Sequence, residues 1–127
     1  MTLLELSIII LVLLTFISLM FVGARAWKRG SDRAACIMNI RQVQLAVRSY
    51  ANTENLEEGT DTRLLSPPVI LADALIGPEN FVSRLPYCPG DGLYILGGNE
   101  IPTRGSLYMT CTVALSDGHV PANFGSW

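Results

Sequence analysis

Charge is scarce in this sequence, and histidine is nearly absent. Of 127 residues, 16% are charged, and the one histidine is His119. With a net charge of −2 and a pI near 5.2, the chain lacks the basic excess of a nucleic-acid module, and no specific nucleic-acid site is evident. It also lacks the polarity of a disordered chain, since half of it is hydrophobic. There is no Cys-x-x-Cys pair to go with the lone histidine, which argues against zinc. Nor do acids cluster at alternating positions, as an oxygen cage for calcium requires. The expectation is no metal and no cofactor. His119 has no patterned acid or nucleophile around it and reads as a surface histidine, so no enzyme is expected. Asp91 and Asp117 lie where aspartate is favoured in turns. No N-glycosylation sequon occurs, and the ten aromatics are scattered.

What the chain has in excess is one apolar run. Leu6 to Ala24 contains no charge in 19 positions. As a helix it would extend about 28 Å, close to the roughly 30 Å hydrocarbon core of a bilayer. About 100 remaining residues could hardly coat a helix that is apolar on every side, so a buried core helix fits poorly. A secretory signal fits poorly too. No basic segment precedes the run, which is longer than the usual apolar stretch of roughly 7–15 residues. A membrane-inserted helix is the expected state. Glu5 stands at its start, and a carboxylate at bilayer depth costs on the order of 3 kcal/mol. Two readings are open: an interfacial acid that reaches water, or an acid that awaits a cation, such as the α-amino group of a neighbouring copy.

Helical spacing continues beyond the run. Cys36, Ile40, Val43, Val47 and Tyr50 form one apolar stripe. No proline occurs before Pro67, so a single helix to about residue 53 is expected, roughly 80 Å long. Gly23 is a local weak spot, since glycine costs a helix about 1 kcal/mol relative to alanine. An ordinary tolerated glycine is the other reading. Gly30 is a possible bend.

Charge divides along the chain. Arg25 to Tyr50 carries six basic residues and one acid, whereas Ala51 to Trp127 carries three basic residues and nine acids. In a polymer this pairs one copy's basic helix with another's acidic head. Alternatively, the arginines snorkel to headgroups and the acids keep the head soluble. A basic segment after the run would favour the cytoplasm by the positive-inside rule.

Farther on, Pro67-Pro68 to Ile76, followed by Gly77-Pro78, reads as a short helix. Residues 54–66 read as a polar loop. Leu107, Met109, Cys111, Val113 and Leu115 alternate with smaller or polar residues, as in a half-buried strand. Leu93–Leu96 is its expected hairpin partner across Gly97-Gly98-Asn99, and Asp117-Gly118 marks a further tight turn. The expected fold class is α+β. A long amino-terminal α-helix packs on a small antiparallel sheet. Residues 1–27 form the membrane or filament-core helix, and 28–127 the amphipathic helix half with its head.

Thr2-Leu3-Leu4-Glu5-Leu6, with the apolar helix behind it, resembles the start of a mature type IV pilin or type II secretion pseudopilin. The resemblance is strongest over residues 1 to about 53. It implies leader removal by a prepilin peptidase, N-methylation of Met1, and an assembly role for Met1, Thr2 and Glu5. It also implies a homopolymer built from an inner-membrane pool on an assembly platform. The subunit waits in the lipid bilayer and ends in a cell-surface filament. Met1 stands where the family usually has Phe, and Val22 where many pilins have proline, near which their helix often melts; here Gly23 is the candidate weak point. The alternatives are a minor pseudopilin of a secretion or DNA-uptake machine, and a membrane-anchored binding module that never polymerises.

Cys36, Cys88 and Cys111 allow three single pairings. Outside the membrane a disulfide persists, and a small head benefits from one. Cys88–Cys111 is favoured, with Cys36–Cys111 or Cys36–Cys88 as alternatives. The segments around Cys36, Cys88-Pro89-Gly90-Asp91-Gly92-Leu93-Tyr94 and Cys111 resemble a three-cysteine subgroup of pilin-like proteins. That subgroup usually has Gly-Gly where this chain has Asp91-Gly92.

Overall fold

The computed structural model describes residues 2–127. The order of elements is helix α1 (Leu3–Thr53), a 3-10 turn (Thr62–Leu64), helix α2 (Leu71–Leu75), strand β1 (Tyr94–Leu96), strand β2 (Met109–Cys111) and helix α3 (Ala114–Asp117). This is an α+β chain with a long apolar amino-terminal helix and a two-stranded antiparallel sheet. It divides into two compact units, Met1–Ser31 and Asp32–Trp127.

The first unit is helix without a core. Every large apolar side chain from Leu3 to Val22 is exposed, from 43% at Val12 to 86% at Leu3. The stretch is long and apolar enough to cross a membrane. Its few hydroxyls bond back to the helix itself. Ser7 donates to the carbonyls of Leu3 (3.0 Å) and Leu4 (2.9 Å), Thr15 to Val12 (2.7 Å) and Ser18 to Leu14 (2.8 Å). Such back-bonding leaves no donor facing outward, as a hydrocarbon environment demands. The helix passes through Gly23 and Gly30 without a break.

The second unit is built on the apolar stripe. Cys36, Ile40, Val43, Val47 and Tyr50 are all buried, as their spacing predicts. Leu71 and Leu75 of α2, Val82, Ile101, Tyr108 and Met109 close over them. Helix α1 is stopped just beyond Thr53 by Asn55, which adopts φ 53°, while the Leu56 N–H returns to the Ala51 carbonyl at 2.8 Å. This is the six-to-one bond of a left-handed helix stop, with Leu56 packed on the core behind it.

One polar residue on the buried face escapes the stripe. Gln44 is 1% exposed; its amide donates to the Ser106 carbonyl (3.0 Å) and accepts from the Tyr108 N–H (2.9 Å). It thereby fixes the approach to β2 against α1. Strands β1 and β2 pair with Tyr94 opposite Cys111, Ile95 opposite Thr110 and Leu96 opposite Met109.

Three local expectations need correction. Helix α2 begins at Leu71, not at the prolines, because Val69 is held in a two-way pairing with Thr62: its N–H meets the Thr62 carbonyl (3.0 Å) and its carbonyl accepts from the Thr62 hydroxyl (2.8 Å). The strand expected over 107–115 is confined to Met109–Cys111. After Thr112 bonds Leu93, Val113 turns to φ −94°, ψ 18° and starts α3, leaving Leu115 wholly exposed. Gly97-Gly98-Asn99 is not a closed hairpin turn. Asn99 leaves the sheet to accept from the Thr62 N–H (2.8 Å) and, through its side chain, from the Leu71 N–H (3.0 Å).

Candidate functional site

Two places carry the residues with chemical potential, one in each unit. At the amino terminus, Thr2 and Glu5 satisfy each other. The Thr2 N–H donates to the Glu5 carboxylate at 2.8 Å, and the Glu5 N–H donates to the Thr2 hydroxyl at 3.3 Å. This reciprocal pair is a capping box, closing two of the four free N–H groups at the start of a helix. It also places a negative charge at the positive end of the helix dipole. The pair is exposed. Glu5 thus has a local partner, but no cation meets it among the described residues. Met1, expected to be N-methylated and to join in assembly, lies outside the described residues.

In the second unit, four side chains from four segments converge. Cys36 comes from α1, Cys88 from the loop before β1, Cys111 from the end of β2, and His119 from the segment after α3. All are buried, and their donor atoms lie within 4.8 Å of one another. His119 is 3% exposed, so it is not the surface histidine expected from its isolation in sequence. Its Nδ1 lies 3.4 Å from the Cys88 sulfur.

No disulfide is formed. The Cys88 and Cys111 sulfurs are 3.6 Å apart, well beyond the ~2.05 Å of an S–S bond, and all three cysteines are free thiols. The favoured Cys88–Cys111 pairing and both alternatives are corrected accordingly. The physical reason is the company each sulfur keeps: every thiol faces several donors at once rather than one partner.

The sulfurs differ in their surroundings. Burial pushes the Cys36 thiol up to about 12. Burial opposes ionisation of Cys88 too, but the N–H groups of Gly90 and Gly92 donate to its sulfur and carry its pKa below the ordinary thiol value. Burial holds Cys111 above the ordinary value, against a hydrogen bond from the Val113 N–H. Burial and the neighbouring Cys36 raise Tyr94, whose hydroxyl accepts from Asn39 at 3.1 Å.

Two glycines admit this crowding. A Cβ on Gly90 would collide with Cε1 of His119, and one on Gly92 would fall 2.5 Å from the Cys111 sulfur and 3.3 Å from that of Cys88.

The arginines of α1 are partly engaged by their own head. Arg48 donates to the carbonyls of Pro102 (2.7 Å) and Trp127 (2.8 Å), and Arg41 stacks over the Trp127 ring at 5.5 Å. No protein-family model matches the chain, and no curated protein or solved structure is significantly similar to it.

Proposed function

We propose that the chain is a structural subunit of a type IV pilus-like filament. It is held first in the inner membrane and then packed through its amino-terminal helix into a cell-surface homopolymer. The observation that supports this most directly is the exposed apolar face of residues 3–22, with every hydroxyl turned back on the helix and one acid, Glu5, at its head. Lipid satisfies such a surface before assembly, and copies of the same helix satisfy it afterwards. Small head, long greasy helix and single terminal acid fit a building block rather than a catalyst.

In this reading the capping box holds Glu5 ready in the membrane. Assembly then brings the α-amino group of a neighbouring copy to its carboxylate, and a subunit at the wrong height leaves a charge unpaired. Register selection of this kind is the best-attested use of a buried charge. A prepilin peptidase and an inner-membrane assembly platform are the partners that such a route requires.

Glu5→Gln separates the two roles of the side chain. Glutamine still closes a capping box but cannot pair an amine as an ion. Both Glu5→Gln and Glu5→Ala should reach the membrane at the parent's level. In a sheared-fibre fraction, both should fall by roughly tenfold or more, the scale of one unpaired buried charge. Parental fibre yield from Glu5→Gln would contradict the proposal.

A further inference from the structure

The convergence of Cys36, Cys88, Cys111 and His119 calls for an explanation that neither packing nor a disulfide supplies. Any single disulfide would leave an odd thiol and a histidine buried beside it. A buried imidazole facing sulfur is an expensive way to fill a core. A nucleophilic site is also a poor fit, because all four groups are buried (0%, 6%, 5% and 3% exposed).

The distances fit a metal. With metal–sulfur bonds of about 2.3 Å and metal–nitrogen bonds of about 2.0 Å, a tetrahedral ion sets its sulfurs roughly 3.8 Å apart and sulfur to nitrogen roughly 3.5 Å. Here the Cys88–Cys111 and Cys88–His119 separations are 3.6 Å and 3.4 Å. No donor pair exceeds 4.8 Å, so one ion reaches all four after a contraction of at most about 1 Å in the longest separations. A two-iron cluster needs room for an iron–sulfide diamond between its donor pairs, which this spacing does not leave.

We propose that Cys36, Cys88, Cys111 and His119 are the ligands of a structural zinc ion that fastens helix α1 to the loop, strand and carboxy-terminal segment of the head.

The chemistry of the donor set selects zinc. Three thiolates and one imidazole, closed to solvent with no vacant position, are a structural zinc set, whereas oxygen-preferring ions find no ligand there. The surrounding donors match as well. N–H groups of Gly90 and Gly92 on Cys88, of Val113 on Cys111, and the Tyr94 hydroxyl beside Cys36 are placed to steady the charge of bound thiolates. The glycines make this possible by bringing backbone against the sulfurs. On binding, each thiol gives up its proton to water and its sulfur lone pair to the ion, with no change of oxidation state. The proposal is independent of filament assembly.

The test uses the full chain, extracted in detergent and purified without chelator. Elemental analysis should find zinc equimolar with protein. Alkylation after denaturation with a chelator should modify all three cysteines without prior reduction. Cobalt(II) exchanged into the site should give the intense visible bands of tetrahedral thiolate coordination, and chelator should lower the melting temperature of the head. His119→Ala should lose most of the zinc, and His119→Cys should restore it. A disulfide between any two of the cysteines in the freshly isolated chain would overturn the proposal. So would zinc-free protein whose melting curve is unmoved by zinc or chelator, or parental zinc content in His119→Ala.

Discussion

The two units of this molecule solve the same problem in opposite ways. From Thr2 to Val22, the polar side chains of the apolar helix are satisfied within about one turn, and the large apolar ones are all exposed. From Asp32 onward, polar and apolar groups alike are satisfied by residues far away in sequence: Gln44 by Tyr108, Arg48 by Trp127, Cys36 by Cys111. The first unit is complete as a helix and incomplete as a surface. The second closes its own core. The contrast teaches where function resides, since an element that leaves its apolar face open is made to be covered by something else, which the proposed function takes to be lipid and then copies of itself.

Leucine truncation puts the largest strain on this contrast. Leu75→Ala removes a fully buried side chain and should destabilise the head by about 2–5 kcal/mol in a denaturant titration. Leu14→Ala, at a site 59% exposed, should leave the same transition within about 0.5 kcal/mol. Equal losses at both sites would erase the distinction between the units. Next comes the polar pair. Gln44→Ala strips the Tyr108 N–H of its buried partner and should cost about 1–3 kcal/mol, while Ser18→Ala should be close to neutral.

Arg48→Ala should cost about 1–2 kcal/mol through its two carbonyl contacts. The 3.7 Å pair with half-exposed Glu58 adds little, so the loss should change only slightly with salt. The smallest effect belongs to Asp61. Its hydrogen bonds from the Arg63 side chain and N–H hold its carboxyl below the ordinary value, so its contribution is present above the unfolded value and fades as pH falls through the folded one. Parent and Asp61→Asn should therefore differ slightly at neutral pH and converge below about pH 4 in midpoint comparisons.

These expectations rest on features that were unequally legible. The apolar run and the Cys36–Tyr50 stripe declare themselves by composition and period, because a helix face repeats locally. The extent of α1 to Thr53 followed from the absence of proline. Gln44 did not declare itself, since its burial depends on a carbonyl and an N–H delivered by a segment far along the chain. The alternation from Leu107 to Leu115 pointed to a strand, yet Val113 turns out of the sheet and Leu115 is left in solvent. His119 was the least legible of all. Its partners come from three other segments, with no local spacing to announce them, and the close approach of Gly90 and Gly92 to His119 and the sulfurs shows only in the folded chain.

A helical reconstruction of sheared native fibres tests the central proposal most directly. The account predicts apolar helices bundled at the fibre axis, with each Glu5 carboxylate in ion-pair contact with the first amine of an adjacent subunit. Fibres whose Glu5 faces no cation from another copy, or cells whose chain stays monomeric in the membrane, would contradict it.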